Sequence, residues 1–294
     1  MALFSPSESP AVVVKEIDLT GGVPNVQSTT GAIVGNFRWG PADKRTLIAN
    51  ETELVEKFAA PDSDTTIDFH SASYFLRYSS ALQVVRAIDG NADNSISISA
   101  DSGAGILSAV IVKNEDDFAS QSSALTAGNH TFIGRYPGAL GNDLQVQMCH
   151  ANSTAYNAWG FKNEFDAVPA TSNFLTAKNG SNDEVHTVVV DKNGKFTGTK
   201  NAVLERYAFL SLAKDAKADD GTSIYVKDVI NERSEYIHMA GFDSAVVANI
   251  TKSGRVALDS GDDFLSTGSG LFNRHFTFNF SGGSNSNALT TTEF

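Results

Sequence analysis

Six histidines, at 70, 130, 150, 186, 238 and 275, are the residues best suited to bind a metal or move a proton near neutral pH. They form no His-x-x-x-His pair and no zinc-type spacing, so each is expected to be an ordinary surface or core histidine. Cys149 is the single cysteine, which excludes an internal disulfide and suits a reducing cytosol. With no partner base identified by the sequence, it is expected to be a buried structural thiol. Asp259, Asp262 and Asp263 cluster carboxylates that favour hard cations, but the calcium-loop spacing is absent and a solvated turn is expected. No Gly-x-x-x-x-Gly-Lys, Gly-x-Gly-x-x-Gly or Gly-x-Ser-x-Gly run occurs, so neither a phosphate loop nor a nucleophile elbow is expected. Gly103-Ala104-Gly105 and Gly268-Ser269-Gly270 are too short to count, and Asn249-Ile250-Thr251 carries little meaning as a glycosylation site. The catalytic, metal and cofactor sets are all expected to be empty, and the chain is not expected to be an enzyme.

The residues must then serve a structure. At 294 residues the chain has room for two compact domains, and 41% hydrophobic content supports a real core. Thirty-four acidic against 22 basic side chains give a net charge of −12, which disfavours a nucleic-acid-binding face. No window approaches the roughly 18 apolar residues of a membrane span. The opening Met1-Ala2-Leu3-Phe4-Ser5-Pro6 has neither a basic region nor an apolar stretch, so no secretory signal is expected.

Val12, Val13, Val14, Lys15, Glu16 and Ile17 form a β-branched run with strand character, cut off by Gly21-Gly22-Val23-Pro24. Residues 32–37 read as a buried strand leading into an Arg38-Trp39-Gly40-Pro41 turn. Asn50 is a good N-cap, with Glu53 as capping-box partner and Leu54, Val55 and Phe58 as an apolar face before Pro61. A second helix is expected over about 68–78 and a strand over 82–88, giving a β-α-α-β layout. Residues 89–105 are small and polar, a plausible domain crossing. Strand-like runs follow at 106–112, 131–135 and 144–149. Val185–Val190 is expected to turn through Asp191-Lys192-Asn193-Gly194 into a hairpin over 185–197. Val203, Leu204, Tyr207, Ala208 and Leu212 have helical spacing and predict a helix over about 201–213. Phe276–Phe280 is strand-like.

Several of these segments, in order, resemble the tail sheath proteins of contractile-tailed phages. They are Ser9–Glu16, Ser28–Pro41 with its Trp-Gly-Pro turn, Asn50–Pro61, Asp68–Ala87, Tyr136–Leu144 and Ser281–Ala288. Ala11 and Ala59 stand where the family usually has glycine. The resemblance implies a multidomain sheath fold, α/β and α+β, with an inserted outer domain and an extended N-terminal arm. Residues 1–24 would be the arm, 25–88 with 246–294 an α/β domain, and 89–245 the inserted α+β outer domain. It also implies that a C-terminal remainder is absent. The implied function is a structural subunit that assembles around the tail tube and contracts to drive it through the host envelope. Implied partners are other sheath subunits, the tail tube protein, the baseplate and the tail terminator, with neither nucleic acid nor direct membrane insertion. The implied location is the virion tail, and the host cytoplasm during assembly. A strand on a glycine tether suits pairing with a neighbouring subunit, so Val12–Ile17 is expected to be an intersubunit strand. Alternatives are the sheath of a related bacteriocin or secretion machine, or a carbohydrate-binding β module needing exposed aromatic platforms.

Overall fold

The computed structural model describes residues 30–99, 108–127, 130–241, 275–286 and 289. Val12–Ile17, the glycine pairs at 103–105 and 268–270, Asn249 and the Asp259–Asp263 cluster lie outside these residues.

Residues 31–86 form a small unit. Strands β1 (Gly31–Gly35), β2 (Arg45–Ile48) and β3 (Leu82–Arg86) make a sheet in the order β1-β3-β2, with β1 parallel and β2 antiparallel to β3. Helices α1 (Glu51–Phe58) and α2 (Thr66–Leu76) lie between β2 and β3 in sequence. Asn50 caps α1 as its sequence predicts: its side chain accepts from Glu53 N at 2.9 Å, and the Glu53 carboxylate reaches back to Ala49 N at 2.8 Å. One sheet face buries Ile48, Leu82 and Val84 against Leu54, Phe58, Phe69 and Ala72. The opposite face leaves Val34 and Leu47 exposed.

The second sheet has seven antiparallel strands in the order β8-β7-β6-β10-β4-β5-β9. They are β4 (Ile96–Ser99), β5 (Phe132–Gly134), β6 (Leu144–His150), β7 (Glu184–Asp191), β8 (Ala202–Ser211), β9 (Ile237–Met239) and β10 (Phe276–Ser281). Period-two alternation sends Leu144, Val146, Met148, Phe276, Phe278 and Phe280 into the main core, which α5 (Val226–Arg233) helps close. The other face holds a smaller cluster around Trp159, Phe165, Val188 and Val190 beside α4 (Ser153–Ala158). Helix α3 (Glu115–Ala127) packs Phe118 and Leu125 near Ile133. The whole is a mixed α/β protein.

Four expectations change. Strand β10 does not join the 25–88 unit; it lies between β6 and β4, because its three inward phenylalanines complete the core of the large sheet. Residues 202–211 are a strand and not a helix. Two bulges in its pairing with β7, near Val189/Val190 and Val185/Thr187, each insert one residue. One bulge puts Tyr207 and Leu210, three residues apart, on the main-core face, while Val203 packs on the opposite cluster, so the apolar spacing departs from period two and imitates a helical one. The hairpin after β7 returns only at Ala202, since residues 192–201 fold around Asp191, whose carboxylate accepts from the N–H groups of Lys195, Phe196 and Thr197 at 2.8–3.0 Å. Residues 108–112 form no strand; the buried Asn94 holds them, donating to Val112 O at 3.0 Å and accepting from Val112 N at 2.7 Å.

Candidate functional site: the buried joint at Arg86

Strand β3 alternates Leu82, Val84 and Arg86 toward the same side, so its last residue carries a cation where apolar side chains precede it. Arg86 is 2% exposed. Its Nε donates to Phe37 O at 2.7 Å, Nη1 to Gly40 O at 2.9 Å and Nη2 to Pro137 O at 2.7 Å. Two of these acceptors belong to the small unit and one to the loop before β6, so one side chain spans both units. Burial lowers its pKa to about 9, against a smaller raising effect of Tyr136, and it stays charged at neutral pH. A planar guanidinium with divergent donors is the side chain able to satisfy three carbonyls pointing from different directions.

The surrounding contacts come from the segments singled out by the sequence. Trp39 leaves the small unit and enters the main core, edge-on to Tyr136 and Phe196 at 5.6 and 5.3 Å. Gly40 has φ 99°, and an added Cβ would meet Lys57 O at 2.6 Å, so the turn after Trp39 requires glycine. Gly138 has φ 140°. Beyond β10, Gly283 N donates to Asn142 Oδ1 and Asn142 Nδ2 to Gly283 O, both at 2.8 Å. Asn285 Oδ1 accepts from Ala139 N at 2.9 Å, and the hydroxyls of Ser284 and Ser286 accept from the backbones of Asp93 and Asp89. The Trp-Gly-Pro turn, the Tyr136–Leu144 segment and Ser281–Ser286 therefore meet at one joint. Ion pairs Lys57–Glu235 at 3.1 Å and Lys113–Asp43 at 2.7 Å flank it.

The residues suited to chemistry are dispersed. His130, His150, His186 and His238 are buried, and no metal-holding group of three or more ligands occurs among the described residues. His186 donates from Nε2 to Ala167 O and accepts the Phe209 N–H at Nδ1, a neutral tautomer, and burial lowers its pKa. Burial pushes the Cys149 thiol up to about 12, leaving it protonated and inert. Trp39 and Trp159 are 3% and 1% exposed, so neither is an open stacking platform. Among the described residues no helix is long and apolar enough to cross a membrane. Sequence reasoning passed over Arg86; the available signal was an arginine in phase with the apolar positions of a buried strand.

No protein-family model matches the chain. It is 35% identical over 204 residues to the tail sheath protein of Salmonella phage ViI, a match covering 69% of this chain and 29% of that protein. The chain belongs to the family of phage tail sheath proteins. The tail sheath protein of Enterobacteria phage T4 is 41% identical, and that of Vibrio phage KVP40 37% identical, each over 81 residues, 28% of this chain and 12% of the relative. This sheath-family chain thus spans under a third of the length of the curated relatives it matches. Two solved sheath tail proteins are among the structures the chain resembles. The one from Listeria innocua has a TM-score of 0.42 and 10% identity, covering 90% of this chain and 36% of its own. The one from Desulfitobacterium hafniense has a TM-score of 0.40 and 11% identity, covering 97% and 41%.

Proposed function

We propose that this chain is part of a structural subunit of a contractile tail sheath. Copies assemble around a tail tube in the virion tail and rearrange into a shorter lattice that drives the tube through the host envelope, with no enzymatic step. The observation that carries this is the 35% identity to a tail sheath protein over 204 residues. The joint supports it: a subunit that transmits force needs its units locked, and Arg86 with Trp39 ties the small unit to the large sheet through buried contacts. The partners in this reading are further sheath subunits, the tube protein, the baseplate and the tail terminator.

In the same reading the large-sheet unit, starting near residue 89 and including β10, is the outward domain, and Val12–Ile17 is an arm that pairs with a neighbouring subunit. Each strand hydrogen bond nets only about 0.5–1.5 kcal/mol, so the arms act through their number in the lattice. Electron microscopy of the full-length protein tests the reading: tubular polymers are expected. A protein that stays monomeric, alone and with its tube, overturns it. Deleting residues 1–20 should leave a folded, soluble subunit that forms no tubes; normal tubes or an unfolded monomer would refute the arm.

A further inference from the structure

Arg86 is a buried charge held by neutral groups. Its three partners, Phe37 O, Gly40 O and Pro137 O, are all carbonyls, and no ion pair reaches it among the described residues. A guanidinium carries more N–H donors than these carbonyls use, and Nη1 and Nη2 each keep a second one. A cation this far from water is normally offset by an anion, because an unbalanced buried charge is costly. The lowering of the Arg86 pKa to about 9 by burial expresses the same imbalance.

A cavity of about 20 Å³ lies against this guanidinium. Asn36 and Arg38 line it from the chain after β1, Asp64 from the turn before α2, and Asn285 and Ser286 from the loop after β10. The lining offers spare donors. Asn285 Oδ1 accepts from Ala139 N at 2.9 Å, which leaves the amide hydrogens of Asn285 to donate. The Ser286 hydroxyl accepts from Asp89 N at 3.0 Å, which leaves its own hydrogen to donate. The nearby carboxylates are engaged elsewhere. Asp62 pairs with Arg38 at 3.6 Å, and the exposed Asp64 accepts from the Ser63 hydroxyl at 3.3 Å. Neither acts on Arg86, whose pKa responds to burial and to Tyr136.

We infer that this cavity binds one small monovalent anion, a halide such as chloride, as the counter-ion of Arg86. The volume admits a single small ion and excludes sulfate or an organic acid of several carbons. Water in the same place would satisfy donors and leave the charge unbalanced; a halide does both tasks, accepting several N–H and O–H groups at once. The lining comes from the small unit and from the loop after β10, which is fastened to the large sheet through Asn142. The ion is therefore a further tie across the joint, and the inference stands apart from the sheath reading.

Urea unfolding of the full chain in chloride and in gluconate, at one fixed ionic strength, tests it. Chloride and bromide should raise the urea midpoint above that in gluconate, which is too large for the cavity. Well above half-occupancy, the unfolding constant should fall about tenfold for each tenfold rise in chloride, the mark of one bound ion. Two substitutions at the lining should move half-occupancy in opposite directions, each measured against its own midpoint in gluconate. Arg38→Gln removes a cation and should shift it to about tenfold higher chloride; Asp64→Asn removes a carboxylate and should shift it lower. Crystals grown with bromide should show its anomalous signal beside the Arg86 Nη atoms. Equal midpoints in chloride and gluconate overturn the inference, whether the cavity then shows water or a bromide bound at crystal concentration only. A halide effect that neither substitution moves also overturns it.

Discussion

Arg86 satisfies three backbone carbonyls at once, so its removal leaves three buried acceptors without donors. Arg86→Met should lower unfolding free energy by about 3–5 kcal/mol in urea titrations, and Arg86→Lys should recover only part of it, because the three donors of an ammonium radiate from one nitrogen and cannot reach the three carbonyls met by separate guanidinium nitrogens. Ala59 closes α1 at φ 60° and ψ 168°, a region populated almost only by glycine. Ala59→Gly is therefore expected to stabilise the protein by about 1 kcal/mol, seen as a higher urea midpoint. Buried histidines set the acid limit. Burial holds His150 at about 4 and, with the charge of Arg135 adding to it, His238 at about 3, below the ordinary 6.5. Both folded values lie below the unfolded one, so the neutral form favours the native state. Stability is full above 6.5 and falls as pH drops toward 4, by about 1.4 kcal/mol per pH unit for each group. His238 stacks on Phe118 at 4.0 Å. His238→Phe keeps that stack and removes one titration, so the slope of stability between pH 6 and 4.5 should fall.

Local elements show where short-range signals suffice. Asn50 and Glu53 form their cap within a few residues, and Asn50→Ala should cost about 1 kcal/mol by thermal or urea unfolding. The hairpin after β7 follows a different local rule. Asn193-Gly194 signals a tight turn, yet the Asp191 carboxylate gathers three N–H groups and stretches the connection to Ala202. Asp191→Ala strands those three donors and should expose residues 192–201 to faster amide exchange, while β6 and the far end of β7 stay protected. In β8, a strand identity depends on a partner far from the local sequence pattern. Val203, Leu204, Tyr207, Ala208 and Leu212 have helical spacing, and only pairing with β7 makes residues 202–211 a bulged edge strand.

At the scale of the molecule, the two sheets are tied by Arg86, by Trp39 in the main core and by the loop from Ser281 to Ser286. Contacts of this density predict a single cooperative transition for both units. Tryptophan fluorescence follows Trp39 at the joint and Trp159 in the opposite cluster, and the two should unfold at the same denaturant midpoint when each is observed in the Trp→Phe variant of the other. Separate midpoints would mean that the small unit opens on its own. The placement of β10 fits one transition, since a strand from near the end of the chain fills the middle of the large sheet.

The sequence by itself determined what is local or compositional. It specified the capped helix α1, the apolar alternation of β3, β6 and β10, the glycine demanded by the turn after Trp39, and the family carried by segments that keep their order. It also pointed to an inert buried Cys149. Tertiary structure decided three things that depend on distant partners. β10 chose the large sheet because only there do Phe276, Phe278 and Phe280 find a complementary core. Residues 202–211 became a strand because β7 supplied a ladder that outweighed weak helix propensity. Arg86 became the joint because carbonyls 49, 46 and 51 residues away converge on it, and no spacing along the chain encodes such a convergence.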